Sequence, residues 1–119
     1  MPNTKGAPTA SGAEPVVRVS RYTVSCLEDE RDRGSWDLSV EERGEGRWAV
    51  LHLSYCLGAD GRFVYEPSPS NRTDEFLASH RFGLDEALAL AKRAAPDVVV
   101  NGMRPADVIA FRKAHPRDD

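Results

Sequence analysis

A chain of 119 residues with 40% apolar and 29% charged side chains has the composition of one globular domain, long enough to bury a core without metals or disulfides. It contains no run of about 18 apolar residues, which excludes a membrane-spanning helix. Met1 to Pro15 lacks the apolar stretch of a secretory signal, so the expected compartment is the cytoplasm. Net charge is −3, yet eight acids and three bases fall between Glu28 and Glu45, so one end of the molecule should be acidic, either as a solvated loop or as a docking patch for a basic partner.

Residues 1–15 are rich in Pro, Gly, Ala, Ser and Thr and read as a disordered tail, with His115 to Asp119 as a second, short one. The single domain is expected over 16–114. Val16 to Leu27, rich in Val, Tyr and Thr, reads as a strand. After a charged connection, Trp36, Leu38 and Val40 alternate with Asp37, Ser39 and Glu41, the period of a half-buried strand. Gly44-Glu45-Gly46 is a turn, Arg47 to Leu57 a central strand, Ala59-Asp60-Gly61 a turn, and Arg62 to Glu66 a further strand.

The turns predict a register. A two-residue loop at Glu45-Gly46 sets Val40 opposite Leu51, Leu38 opposite Leu53 and Trp36 opposite Tyr55. A three-residue loop at Ala59-Asp60-Gly61, with Gly61 left-handed, pairs Leu57 with Phe63 and Tyr55 with Tyr65. Both place Leu51, Leu53, Tyr55 and Leu57 on one face, the expected core. A slip of one residue would set Leu38 opposite His52. The opposite face then carries Arg43, Trp48, Val50, His52, Ser54, Cys56, Arg62 and Val64.

Pro67 to Glu75 is a loop, and Phe76 to Phe82 alternates as a fifth strand would. Leu84 to Ala95 is the clearest helix. Its apolar stripe is Leu84, Ala87, Leu88, Ala91, Ala94 and Ala95, with Gly83 as N-cap, acids at its start, bases near its end and Pro96 beyond. Val98 to Val100 reads as a short strand closed by Asn101-Gly102. Pro105 starts a second helix running to about Lys113. The fold class is therefore α+β: an antiparallel meander of four to five strands packed by one helix, with a short extra strand and a C-terminal helix.

No catalytic motif occurs: no GxSxG, Walker loop, GxGxxG, HExxH or EF-hand loop. Cys26 and Cys56 form no CxxC pair and read as two buried reduced thiols, with a disulfide as the alternative. His52, Cys56 and His80 would have to converge to hold a metal, so no metal or cofactor is expected. Arg43 opposite Trp48 would place a guanidinium over an indole, a stabilising cross-strand pair or a basic and aromatic binding face. Asp74, Glu75, His80 and Arg81 lie close enough in sequence to motivate an enzyme reading. Arg72 and Asp74 stand on a polar loop of the kind that carries function on rigid scaffolds.

Two segments carry a resemblance. Arg47-Trp48-Ala49-Val50 leading to Cys56-Leu57-Gly58-Ala59-Asp60-Gly61-Arg62, and His80-Arg81-Phe82 leading into the following helix, resemble small proteins of GC-rich actinobacteria and their phages. The resemblance covers roughly 36–102 and implies no activity. The thirteen Arg against three Lys suit a GC-rich genome. A Trp-bearing three-stranded meander followed by a helix with Glu86-Ala87 and Ala91 is also similar in topology to the arm-binding domain of phage integrases, which lays such a sheet on DNA. Asp37, Glu41 and Glu66 depart from that likeness, because they put acids where phosphates would approach.

The expectation that follows is a non-catalytic binding or regulatory protein acting through protein contacts, without a cofactor and away from membranes. The alternative is nucleic-acid binding through the sheet face of Arg43, Trp48, His52 and Arg62. Arg72, Asp74 and His80 complete the candidate binding residues.

Overall fold

The computed structural model describes residues 12–116. Most of the expected N-terminal tail and residues 117–119 of the C-terminal one lie outside the described residues. The elements are β1 (Arg21–Val24), α1 (Glu30–Arg33), β2 (Leu38–Glu42), β3 (Trp48–His52), β4 (Tyr55–Leu57), β5 (Phe63–Tyr65), α2 (Asp74–His80), α3 (Leu84–Ala94) and α4 (Pro105–Ala114). Single 3-10 turns lie at Pro69–Asn71 and Ala95–Asp97. The five strands form one antiparallel meander in chain order, and the fold is α+β as expected.

The first hairpin departs from the expected register. Arg43 N donates to Arg47 O at 2.8 Å, closing a three-residue loop in which Gly44, Glu45 and Gly46 all have positive φ. Val40 therefore faces Val50, Ser39 faces Leu51 and Glu42 faces Trp48. That is one residue away from the two-residue loop, and one residue reverses which side chains point inward. The expected central strand also breaks in two. Leu53 takes φ 56, and the chain reverses so that His52 pairs with Tyr55. The β4–β5 register is the expected one, with Leu57 opposite Phe63 and Tyr55 opposite Tyr65 around Gly61 at φ 83.

These two changes relocate the core. Leu38, Val40, Trp48, Val50 and Leu57 form the buried face, covered by Ala87, Ala91 and Ala95 together with Phe82 and Val98. The alanines let the α3 backbone approach the sheet closely. Of the residues expected inside, Leu57 belongs to this core and Leu51 to the other face, while Leu53 and Tyr55 are exposed. The opposite face buries a smaller cluster of Ala49, Leu51 and Cys56 under Phe76 of α2.

Phe76 to Phe82 is not a strand. Thr73 Oγ1 accepts from Phe76 N at 3.0 Å, and Asp74 and Glu75 occupy the first turn, so a capped helix forms there. Only Phe82 joins the sheet, through two backbone bonds to Trp48 of 2.7 and 2.9 Å. The first strand is shorter than expected. Its ladder begins at Arg21, because β2 turns away after Glu42 N has bonded Ser20 O. The Val98–Val100 segment contributes one bridge, Val100 to Met103, around Asn101-Gly102. Met103 O accepts from Trp36 Nε1 at 2.9 Å, tying this turn to the start of the meander. Cys26 and Cys56 are both free thiols.

Candidate functional site

The candidate residues do not share one face. Trp48 is 7% exposed, points into the core beneath α3 and lies against the Tyr22 ring, with centroids 5.7 Å apart. Its cross-strand neighbour is Glu42, so the expected Arg43–Trp48 pair is corrected by the register. His52 stands at the end of the same face, where Nε2 meets Ser35 O at 2.8 Å and the ring meets Phe63 edge-on. Arg62 is exposed at the β4–β5 turn. Asp74 is exposed in the first turn of α2. At the other end of that helix His80 stacks on Phe76 at 4.3 Å, with Nδ1 held between Ser79 Oγ (2.7 Å) and Phe76 O (3.0 Å).

Arg43 and Arg72 do come together, around Glu66, which the sequence placed only among the acids of the sheet face. The Glu66 carboxylate meets three guanidiniums: Arg81 at 2.8 Å, Arg72 at 3.0 Å and Arg43 at 3.3 Å. Arg81 is 4% exposed. Its Nη1 donates to His80 O at 2.9 Å and lies 3.6 Å from Cys56 Sγ, while its guanidinium sits 5.5 Å from the Phe76 ring centroid. Arg72 Nε donates to Pro67 O at 2.9 Å. Arg43 also reaches Glu41 at 3.0 Å, and Glu41 accepts from Ser39 Oγ at 2.8 Å.

The electrostatics follow from this geometry. Burial pushes the Glu66 carboxyl up, but the Arg43 hydrogen bond and the charges of Arg43, Arg81 and Arg72 outweigh it and hold the group below its ordinary value. Burial likewise opposes ionisation of Glu41, and Ser39, Arg43 and Arg21 reverse the balance. Burial would lower the Arg43 guanidinium, but bonding and charge from Glu66 and Glu41 raise it. Burial, helped by the Glu66 charge, pushes the Cys56 thiol up against the opposing pull of Arg81. A thiol so placed is a poor nucleophile.

This cluster ties together the ends of β2 and β5, the loop after β5 and the α2–α3 junction. It borders an open groove of about 460 Å³ lined by Arg43, Arg47, Asp74, Leu77 and Arg81, among others. Arg47 closes one side by donating to Arg81 O at 2.6 Å. No group of three His, Cys, Asp or Glu able to hold a metal occurs among the described residues. Among the same residues no helix is long and apolar enough to cross a membrane.

A second feature lies beyond the reach of α3. Tyr55 and Tyr65 meet edge-to-face with centroids 6.0 Å apart. Tyr65 is 68% exposed, and Leu53 in the adjoining turn is 73% exposed. The ladder bonds Gly58 N to Arg62 O and Glu66 N to Ser54 O fix the parity of β5. The amides and carbonyls of Phe63 and Tyr65 therefore point away from β4, toward an edge that no described strand occupies. No signal in the sequence marked this patch, because the residues were expected in the core.

No family model matches the chain, and no match is found among curated proteins or solved structures.

Proposed function

We propose that this chain is a non-catalytic binding module that contacts another protein through the open edge of β5 and the aromatic patch beside it. The observation that carries the reading is the Tyr55–Tyr65 pair, exposed next to strand backbone whose outward hydrogen-bonding groups meet no strand among the described residues. Tyrosines supply contact area at low entropic cost, and an open edge offers backbone bonds to an added strand. Leu53 strengthens the reading. A leucine at positive φ is strained, and a large apolar side chain in solvent gains nothing there for the fold.

Nucleic-acid binding through Arg43, Trp48, His52 and Arg62 draws little from the geometry. Trp48 lies under α3, Arg43 is engaged by two carboxylates, and Arg62 alone of the four is fully on the surface.

A photo-reactive phenylalanine analogue placed at Tyr65, and as a control at Arg93 on the solvent side of α3, tests the proposal in host cells. Cross-linking to a specific protein from Tyr65 and not from Arg93 is the expected result. Equal labelling from both positions, or none from either, would refute it. Once a partner is in hand, Tyr65→Ala should weaken binding by about 2 kcal/mol, the scale of an interfacial anchor.

A further inference from the structure

Val16 to Val19 has the composition of a strand and, among the described residues, no strand to join. β2 gives its last bond on that side to Ser20 and then turns back through Arg43, so its ladder ends where this segment begins. Val16, Val17 and Val19 are all exposed, Val17 at 99%. Among the described residues no backbone hydrogen bond reaches this segment. At the far edge of the sheet β5 has the converse deficiency, a ladder with no occupant among the described residues.

We infer that Val16 to Val19 of one molecule adds as a strand to the β5 edge of a second copy of this chain. The inference rests on reading that edge as a contact surface, and it names the occupant. The two parts fit in length and in pattern. Alternation sets Val17 and Val19 beside Phe63 and Tyr65 and leaves Arg18 on the opposite face, in water.

Pairing within one molecule is barred by distance. β1 and β5 are the two outer strands of five, so a strand added outside β5 lies about 24 Å from β1 at about 4.8 Å per step. Val19 joins β1 through Ser20 alone, and Val16 to Val19 are the residues that must lie along β5. Reciprocal exchange between two copies fills the β5 edge of each and closes the assembly.

The test uses the full chain from about 1 μM to about 1 mM, a thousandfold range of concentration. Sedimentation velocity gives the mass, and amide exchange by NMR gives the site. The expected result is a monomer that becomes a dimer with concentration. Over the same range exchange at the Phe63 and Tyr65 amides should slow by about tenfold or more, reporting their new hydrogen bonds. Val17→Lys alters a side chain in open solvent, and Tyr65→Pro removes an outward N–H that β4 does not use; both should remain monomeric. A monomer at every concentration overturns the inference, leaving the β5 edge as a surface for other proteins to its own cross-linking test. A dimer that Val17→Lys abolishes, but in which the Phe63 and Tyr65 amides stay unprotected, overturns it too, because the arm would then be pairing elsewhere.

Discussion

Replacing Glu66 with Gln probes the feature that closes the molecule most tightly. The substitution keeps shape and removes the charge that three guanidiniums share. Arg43 retains Glu41, and both Arg43 and Arg72 reach solvent, so each should lose no more than about 1 kcal/mol, as surface pairs do. Arg81 has no such outlet: it is buried, and its remaining partners are the His80 carbonyl, the Cys56 sulfur and the face of the Phe76 ring. Leaving a buried charge uncompensated costs about 3–5 kcal/mol. The rim position of the carboxylate, with a neutral amide still able to accept one bond, brings the expectation down to about 2–3 kcal/mol. Urea unfolding followed by tryptophan fluorescence should show an earlier midpoint at unchanged slope. Arg72→Gln, at the rim, should cost under about 1 kcal/mol. The sign with pH follows from the lowered Glu66 pKa. Its contribution is complete above the unfolded carboxyl value of about 4.3 and is lost as pH falls through the lower folded value. Glu66→Gln should therefore flatten part of the acid limb below about pH 4. A Glu66→Gln cost no larger than that of Arg72→Gln, or an unchanged acid limb, would refute the account of Arg81 as a buried charge held by Glu66.

Leu53→Asn should stabilise the chain by about 0.5–1 kcal/mol, because asparagine tolerates the left-handed region better than leucine; a thermal melt checks it. Gly58→Ala should destabilise by about 1–2 kcal/mol, since the new methyl would lie 2.9 Å from His80 Nε2 and 3.0 Å from Asp60 Oδ1; urea unfolding reads the loss. In native protein at about pH 8, Ellman's reagent should titrate the half-buried Cys26 well before the buried Cys56, whose thiol is pushed up; both should react at once after unfolding.

The parts of the fold that the sequence disclosed are those with a single local cause. Gly61 at the third loop position dictated how β4 meets β5, and the alanine stripe between Gly83 and Pro96 dictated α3. The misread parts turn on single residues. Gly44-Glu45-Gly46 can serve as a two- or a three-residue loop, and the choice moves Trp48 from a solvent face into the core. Leu53 at positive φ is invisible to any rule that reserves such turns for Gly and Asn, so β3 and β4 looked like one strand. Phe76, Ala78, His80 and Phe82 alternate by coincidence, and the Thr73 cap with its two following acids was the better signal. The Glu66 cluster draws its arginines from β2's turn, the loop after β5 and the end of α2. No window of sequence contains it.

The alanine face of α3 has a mechanical corollary. Ala87, Ala91 and, just past its end, Ala95 bring the helix axis close to the sheet, while Leu84, Leu88 and Leu90 pack on the core beside them. The alanines set how near the helix lies, and the leucines resist its rotation. The angular setting of α3 is shared between those leucines and its N-terminal mooring, where Phe82 is pinned to Trp48 and Arg81 to Glu66. Loosening that mooring should leave the leucines alone to resist a roll of the helix about its own axis.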